Sequence, residues 1–174
     1  MNNKSTKSIK SYLLAVGACI LLVILDQLTK WLAVTHLKDQ AAFVIWKGVF
    51  KLEYLENRGA AFGIMQNKQF LFAIGAVVIV ALIGYAYGKM PHTSRYYLLR
   101  ICAVLISAGA FGNLIDRVRL NYVVDFFYFE LIDFPIFNVA DCYVVVACIL
   151  FALSILFYYK EEELKCFSIG KGSK

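Results

Sequence analysis

Charged residues and proline are both scarce in this chain. Of its 174 residues only 17% are Asp, Glu, Lys or Arg, two are proline, and 61% are apolar. The mean hydropathy is +0.68, whereas an ordinary soluble domain carries about 25% charged residues and a far more polar sequence. This composition excludes an ordinary soluble domain and predicts an integral membrane protein.

Sequence signals of several other protein classes are missing. No His-x-x-x-His or Cys-x-x-Cys spacing occurs, so we expect no zinc site. No internal repeat is visible, which weakens the case for an inverted-repeat transporter. Basic residues interleaved with exposed aromatic residues are absent, and attraction to anionic lipid headgroups explains the net charge of +6, so no nucleic-acid partner is expected.

Four apolar stretches are long enough to cross a hydrocarbon core of about 30 Å at about 1.5 Å per helical residue. They run from Tyr12 to Val34, Phe70 to Tyr87, Tyr96 to Ile115 and Val139 to Tyr159. We predict one integral membrane domain over residues 1–174, with an all-α core of four transmembrane helices. Residues 1–11 and 160–174 would be tails, the second a solvated extension with no assigned role.

The basic residues predict the orientation of the chain. Four spans put both termini on one side, and that side carries ten of the 18 Lys and Arg residues. Cytoplasmic loops are enriched in these residues, so we expect both termini in the cytoplasm. The alternative for the first stretch, a cleavable signal peptide, is disfavoured because no small-x-small cleavage site follows it.

Polar residues cluster at one end of every predicted span. Because consecutive spans alternate in direction, the end of the first, the start of the second, the end of the third and the start of the fourth meet on one face. The clusters are Asp26 and Lys30, Asn57 to Gly63, Asn113 with Asp116 and Arg117, and Asn138 with Asp141. Groups distant in sequence would therefore converge near the outer membrane surface, as in an active site.

The connectors on that face carry their own signals. Phe50, Leu52 and Tyr54 alternate with Lys51 and Glu53 after a Lys47-Gly48 turn, a period typical of a β-strand. We predict a small extracytoplasmic β-sheet to which Tyr122–Phe129 adds a strand, and a short interfacial helix over Ala60–Met65.

Five polar motifs follow one another along the chain, within roughly Tyr12 to Tyr159. They are Asp26-Gln-Leu-Thr-Lys30, Asn57-Arg-Gly-Ala-Ala-Phe-Gly63, Gly112-Asn-Leu-Ile-Asp-Arg117, Val123-Val-Asp125-Phe and Phe137-Asn-Val-Ala-Asp141. In order and spacing they resemble the lipoprotein signal peptidase (signal peptidase II) family. The resemblance implies a bacterial cytoplasmic (inner) membrane aspartic endopeptidase without a cofactor, which cleaves diacylglyceryl-modified prolipoproteins just before the lipidated cysteine.

The resemblance also implies Asp125 and Asp141 as the catalytic pair. The chemistry agrees, because hydrolysis without metal or covalent intermediate needs one group to deprotonate water and another to protonate the carbonyl oxygen and the leaving nitrogen. Two adjacent carboxyls that share one proton can do both, and which of them holds it is left open. The two residues are 16 positions apart with Pro135 between them, so they can meet only through tertiary folding.

Further motif residues are predicted to bind the substrate, since side-chain amides can hold an extended peptide and arginine can hold a carbonyl or lipid ester. These are Asn57, Gly59, Asn113, Arg117, Asn138, Asp26, Lys30 and Asp116. For Asp26 and Lys30 a local ion pair at i and i+4 is an equal alternative, and Asp116 is as readily a structural partner of Arg117. Membrane lipid would anchor the substrate, and we expect a monomer.

Other functions stay open at this point. A small proton- or cation-coupled transporter also uses intramembrane carboxylates, but its polar residues should run through the full depth of the spans. Oxygen ligands from Asp26, Asp116, Asp125 and Asp141 leave a cation site as a minor alternative. Cys142, where the family would favour serine, suggests a thiol protease, yet no histidine is well placed to activate it.

Overall fold

The structure is a computed structural model that describes residues 2–59 and 69–167, with side chains from residue 9 onward. Within these ranges four helices are long and apolar enough to cross a membrane, which confirms the predicted four-helix core. They are α1 (Asn2–Leu37), α2 (Gln69–Lys89), α3 (Tyr97–Leu120) and α4 (Val139–Phe157). The predicted interfacial helix over Ala60–Met65 lies outside the described residues.

The helices α1 and α3 run past the ends predicted from hydropathy. α3 continues five residues beyond Ile115 because Asp116 is buried in an ion pair with Lys30 instead of ending the helix in solvent. It stops at Asn121, which adopts a left-handed conformation and donates its N–H to Arg117 O at 3.1 Å, a common helix ending. The length of an apolar run thus underestimates the length of a helix whose charged residues are paired inside the protein.

A three-stranded antiparallel sheet lies at the end of the bundle where α1 and α3 finish. Its strands are β1 (Phe43–Trp46), β2 (Phe50–Asn57) and β3 (Val123–Tyr128), in the order β1-β2-β3. Gly48, with φ of +73°, makes the predicted turn between β1 and β2. The predicted sheet is confirmed, and β1 is an addition to it.

Close approach of α3 to α1 and α4 depends on small residues. A Cβ added to Gly112 would lie 2.5 Å from Asp26 Oδ2, and one added to Gly109 would lie 2.5 Å from the carbonyl oxygen of Ala140. Real Cβ atoms do not approach so closely, so glycine at these positions allows α3 to pack against α1 and α4. Ala140 is completely buried in this contact.

The chain after β3 turns back on the strand and so brings α4 to it. Phe137 donates its N–H to Phe127 O at 3.0 Å, while its carbonyl oxygen accepts from Phe126 and Phe127 at 3.0 and 2.8 Å. The chain between Phe127 and Phe137 includes a short 3₁₀ turn over Glu130–Ile132. As a result α4 begins beside β3, although the two elements are separated by ten residues.

The start of the C-terminal tail differs from the predicted solvated extension. A short helix α5 (Glu161–Leu164) folds against the loop before α3. Arg95 Nε donates to Glu163 at 2.8 Å, and Tyr96 Oη donates to the carbonyl oxygen of Glu163 at 2.7 Å. Leu164 and Phe167 pack on the cluster of Met90, Tyr96, Leu99 and Tyr159, so this end of the bundle has its own apolar core.

Candidate active site

Asp125 is the most enclosed carboxyl group on the sheet. It lies on β3 between Val124 and Phe126, and only 1% of it is exposed. Asn57 Nδ2 donates to its Oδ2 at 2.8 Å, and Asn138 Nδ2 donates to its Oδ1 at 2.6 Å. Burial, followed by the nearby charge of Asp141, raises the pKa of Asp125 to about 7, and the two amide hydrogen bonds oppose this rise.

Asp141 stands in the first turn of α4, and its carboxylate takes part in capping the helix. The backbone N–H of Asn138 donates to Asp141 Oδ2 at 3.2 Å, while the Asn138 side chain accepts from the Asp141 N–H at 3.1 Å. This reciprocal pair is a capping box. The other oxygen, Oδ1, accepts from Asn113 Nδ2 at 2.8 Å. Asn138 therefore contacts both carboxyl groups predicted to be catalytic.

The hydrogen-bond network fixes how three asparagine amides are turned. Each amide oxygen accepts from a group that can only donate: Lys30 Nζ for Asn113, the Gly59 N–H for Asn57 and the Asp141 N–H for Asn138. Each NH₂ group must then point the other way, towards Asp141 or Asp125. Asn138 Nδ2 also donates to Asn113 Oδ1 at 3.1 Å, which joins the two halves of the network.

Beneath the two carboxyl groups lies a buried ionic cluster, which we define as Asp26, Lys30 and Asp116. The Lys30 ammonium is 3.0 Å from Asp26 Oδ2 and 2.9 Å from Asp116 Oδ2, and all three side chains are at most 4% exposed. Asp26 also accepts from the Ala140 N–H at 2.9 Å, and Asp116 from the Val124 N–H at 3.2 Å. The cluster thus holds the residue immediately before each of the two aspartates.

Comparison with known proteins agrees with this geometry. The family model for signal peptidase (SPase) II matches residues 18–157, which is most of the chain. The chain belongs to the signal peptidase II family.

Named relatives support this assignment over almost their whole length. The chain is 43% identical over 146 residues to a lipoprotein signal peptidase of Clostridioides difficile (strain 630), covering 83% of this chain and 95% of the relative. A lipoprotein signal peptidase of Caldanaerobacter subterraneus subsp. tengcongensis is 44% identical over 146 residues, covering 83% and 97%. That of Streptococcus pyogenes serotype M5 is 39% identical over 150 residues, covering 86% and 95%.

Solved structures have the same fold. Two of them, each described as a bacterial membrane enzyme structure obtained by the in meso method, superpose with TM-scores of 0.75 and 0.70. They are 31% and 30% identical to this chain and cover 84% and 83% of it, corresponding to 92% and 94% of their own chains. Family and fold together make this protein a multi-pass bacterial membrane peptidase, which decides against the transporter alternative.

In this signal peptidase II family member the predicted substrate-binding residues fall into two groups, one around the two carboxyl groups and one in the buried ionic cluster. Asn57, Asn113 and Asn138 surround the carboxyl groups, with their amides already engaged. Gly59 is buried and its N–H holds Asn57. Arg117 donates to Asn113 O at 3.3 Å, and its buried Nε has no hydrogen-bond partner among the described residues. Asp26, Lys30 and Asp116 form the buried ionic cluster: Asp26 and Lys30 make the local ion pair of the alternative interpretation, whereas Asp116 pairs with Lys30 and not with Arg117 as that interpretation had it.

The contacts around Asp26, Asp116 and Cys142 bear on the two minor alternatives, a cation site and a thiol protease. Lys30 already supplies the positive charge between Asp26 and Asp116. In residues 2–59 and 69–167 no three His, Cys, Asp or Glu side chains are grouped as metal ligands. Cys142 has its backbone N–H bonded to Asn138 O, while the Nδ1 of His36 faces Leu32 O on α1.

Gln27 lies beside the candidate site and was not singled out from the sequence. Its Nε2 lies 3.2 Å from Asp26 Oδ2, 3.2 Å from Gly112 O and 3.0 Å from Asp116 Oδ1, so it ties α1 to α3 beside the ionic cluster. Its place in the Asp26-Gln-Leu-Thr-Lys30 motif was the available signal. Similarly, the Asn-x-x-Asp spacing of Asn138 and Asp141 is the sequence form of a capping box.

Proposed function

We propose that this protein is an aspartic endopeptidase that removes signal peptides from diacylglyceryl-modified prolipoproteins, with Asp125 and Asp141 as its catalytic pair. One observation carries the proposal: Asn138 donates from its side-chain amide to Asp125 and from its backbone N–H to Asp141, so two carboxyl groups from different elements share one polar network. The names of the relatives, lipoprotein signal peptidases, support the substrate class.

The pair would work as an acid and a base in one turnover. The carboxylate form of one aspartate takes a proton from water, and the oxygen of that water adds to the scissile carbonyl while the other aspartate protonates the carbonyl oxygen. The aspartate that took the water proton then donates it to the leaving nitrogen as the C–N bond of the diol breaks, and the other aspartate recovers its proton from a diol hydroxyl. A pKa of about 7 for Asp125 supports a singly protonated pair at neutral pH, which this cycle requires.

The surrounding asparagines would position the carboxyl groups, in addition to any contact with substrate. Because each amide is oriented by a fixed donor, the carboxyl groups are held before a substrate arrives, and such preorganisation avoids a cost during reaction. Direct substrate contact by these residues, Gly59, Asp26, Lys30 and Asp116 stays a prediction. Burial of the ionic cluster favours support of the β3 and α4 backbones as its role.

Arg117 is the group best suited to touch the substrate. It is half-buried, its charge acts on Asp141 and Asp125, and its Nε lacks a protein partner in the described residues. A buried donor without an acceptor is costly, and a peptide carbonyl or lipid ester oxygen would satisfy it. We assign Arg117 to substrate binding beside the catalytic pair.

Lipid anchoring explains why such a site belongs at a membrane surface. Two acyl chains, each methylene contributing about 0.8 kcal/mol when buried, hold a lipidated peptide at the interface without reading its sequence. The excess of Lys and Arg at the other end of the bundle supports an orientation with cytoplasmic termini and an active site near the outer face. All the groups in this scheme come from one chain, so a monomer suffices.

The proposal is tested with purified protein in detergent and two forms of one prolipoprotein, with and without the diacylglyceryl group. We expect cleavage of the lipidated form, with a new N-terminus at the modified cysteine identified by mass spectrometry. Cleavage of both forms at the same rate would overturn the lipid requirement. Absence of cleavage by folded protein would overturn the peptidase assignment for this chain.

A further inference from the structure

A groove away from the catalytic pair lies between α1 and α3, at the end of the bundle near the chain termini. Its volume is about 710 Å³, within the usual range of about 300–1,000 Å³ for small-ligand sites. Its mouth is formed by polar residues and its remainder by apolar side chains of the two helices. The polar residues are Lys10, Ser11, Tyr87, His92, Tyr97 and Arg100.

Arg100 gives this groove a positive charge that the protein does not neutralise. Only 6% of the residue is exposed, and its guanidinium donates to neutral acceptors: Ser11 Oγ at 2.8 Å, Met90 O at 2.9 Å, Pro91 O at 3.1 Å and His92 Nδ1 at 3.2 Å. All 12 Asp and Glu residues of the sequence belong to the described part of the chain, and none of them lines the groove or pairs with Arg100. A buried charge without a counter-ion is costly.

Two further donors at the mouth are free to bind an anion. Lys10 is exposed at the start of the groove. Arginine can only donate, so His92 Nδ1 must accept from Arg100, and a neutral His92 then carries its proton on Nε2. His92 is exposed, and that N–H is directed away from Arg100. The mouth therefore offers an ammonium and a ring N–H beside a guanidinium.

The apolar part of the groove matches the depth of one membrane leaflet. From Ser11 to Leu22 it follows one face of α1, through Leu14, Ala15 and Ala18, over a helical distance of about 16 Å. Half of a hydrocarbon core of about 30 Å has the same depth. Ala15 and Ala18 leave room beside α3, where larger side chains would fill the groove. A polar mouth above an apolar channel of this length fits a phospholipid.

We propose that this groove binds one anionic phospholipid from the leaflet on the side of the termini, with its phosphate at Lys10, His92 and Arg100 and an acyl chain between α1 and α3. The bound phosphate supplies the counter-charge that Arg100 lacks. None of the groove residues belongs to the network around Asp125 and Asp141, so lipid binding here is independent of the proposed function and is tested separately from it.

The test measures lipid binding to the whole protein in detergent by native mass spectrometry. Phosphatidylglycerol is titrated beside phosphatidylcholine and inorganic phosphate. We expect one phosphatidylglycerol to be retained, with at least tenfold preference over phosphatidylcholine, and with a rise in melting temperature of roughly 5 °C at saturation. Inorganic phosphate should produce neither effect.

Variants locate the binding site without disturbing Arg100, whose hydrogen bonds hold the loop before α3. Ala18→Phe fills the channel and should weaken phosphatidylglycerol binding at least tenfold, whereas Ile20→Phe, on an exposed face of α1 outside the groove, should not. Lys10→Gln removes the exposed ammonium at the mouth, leaves every hydrogen bond of Arg100 in place and should also weaken binding about tenfold. Lys89→Gln, a basic residue near the same end but outside the groove, is its control.

Three results would overturn the proposal. Equal retention of phosphatidylcholine would mean that no anionic headgroup is recognised. Unchanged phosphatidylglycerol binding by Ala18→Phe would place the lipid elsewhere on the protein surface. A melting-temperature rise with inorganic phosphate equal to that with phosphatidylglycerol would indicate a site for a free anion.

Discussion

Asp26 accepts a hydrogen bond from the backbone N–H of Ala140 at 2.9 Å, so a carboxylate of α1 holds the residue before Asp141. Asp116 does the same for the residue before Asp125, through the Val124 N–H at 3.2 Å. Lys30 joins the two acids. The buried ionic cluster thus connects helices α1 and α3 to both elements that carry the proposed catalytic groups.

Lys30→Met should strongly destabilise the protein, because it leaves Asp26 and Asp116 facing each other in a buried site without a cation. Breaking a buried ion pair in this way costs about 3–5 kcal/mol of unfolding free energy. Thermal unfolding in detergent should show this as a fall of roughly 10 °C in melting temperature. Lys38→Met is the matched control, since Lys38 pairs with Glu56 in a 40% exposed position and should change little. Equal melting of the two variants would contradict the account.

Gly112→Ala should destabilise the contact between α1 and α3, because its new Cβ would lie 2.5 Å from Asp26 Oδ2. Overpacking of this kind costs about 1–3 kcal/mol. Gly75→Ala in α2 meets no heavy atom within 4 Å and should stabilise its helix by up to about 1 kcal/mol. Thermal unfolding of both variants checks the prediction, and a Gly112→Ala protein as stable as Gly75→Ala would show that the packing relaxes.

Asn138 caps α4 and, in the proposed mechanism, positions Asp125, and two substitutions can separate these roles. Asn138→Ser keeps an oxygen that can cap α4 but loses the Nδ2 donor to Asp125, so it should keep the capping contribution to stability while kcat falls about 10- to 100-fold. Asn138→Ala should lose the same activity and about 1 kcal/mol of stability in addition. Cleavage assays and melting curves on both variants distinguish the effects. Full activity of the stable serine variant would remove Asn138 from the catalytic network.

The pH dependence of cleavage should report the Asp125 proton. With a pKa of about 7, kcat/KM should fall as pH rises through neutrality, because the pair then loses the single proton it needs. Asn57 stabilises the charged form of Asp125, so Asn57→Ala should raise this pKa and move the alkaline limb to higher pH. Gln40→Ala, at an exposed amide, is the control. A limb that stays in place or moves to lower pH would contradict the assignment.

The transmembrane helices were predictable because a long apolar run is compatible with few other structures, but the ends of α1 and α3 were not. Hydropathy stops α3 at Ile115, whereas the ion pair with Lys30 lets Asp116 continue the helix in a buried position. β1 escaped prediction because Phe43–Trp46 is a continuous apolar run with all four side chains exposed, so it lacks the alternation of a half-buried strand.

In the candidate site, too, the residue identities could be predicted from the sequence, whereas their arrangement in space could not. The residue types of the pair and of its asparagines followed from the motifs. Their meeting depends on Phe137 pairing with Phe127, a backbone contact that leaves no mark in the residue pattern. The packing of α5 was hidden for a related reason: Glu163 reads as one of three solvated acids until Arg95, 68 residues earlier, is found beside it.

The central claim is that Asp125 and Asp141 together perform the hydrolysis. The most direct measurement is the rate of cleavage of a lipidated prolipoprotein by Asp125→Asn and Asp141→Asn, each in detergent and each checked for folding by its melting curve. Asp133→Asn is the matched control, because Asp133 is exposed in the segment between β3 and α4 and accepts from Tyr128 Oη at 2.6 Å. The account predicts that each of the first two variants is folded and slower by at least about a thousandfold, while the control cleaves at the wild-type rate. Substantial turnover by either folded variant would contradict it.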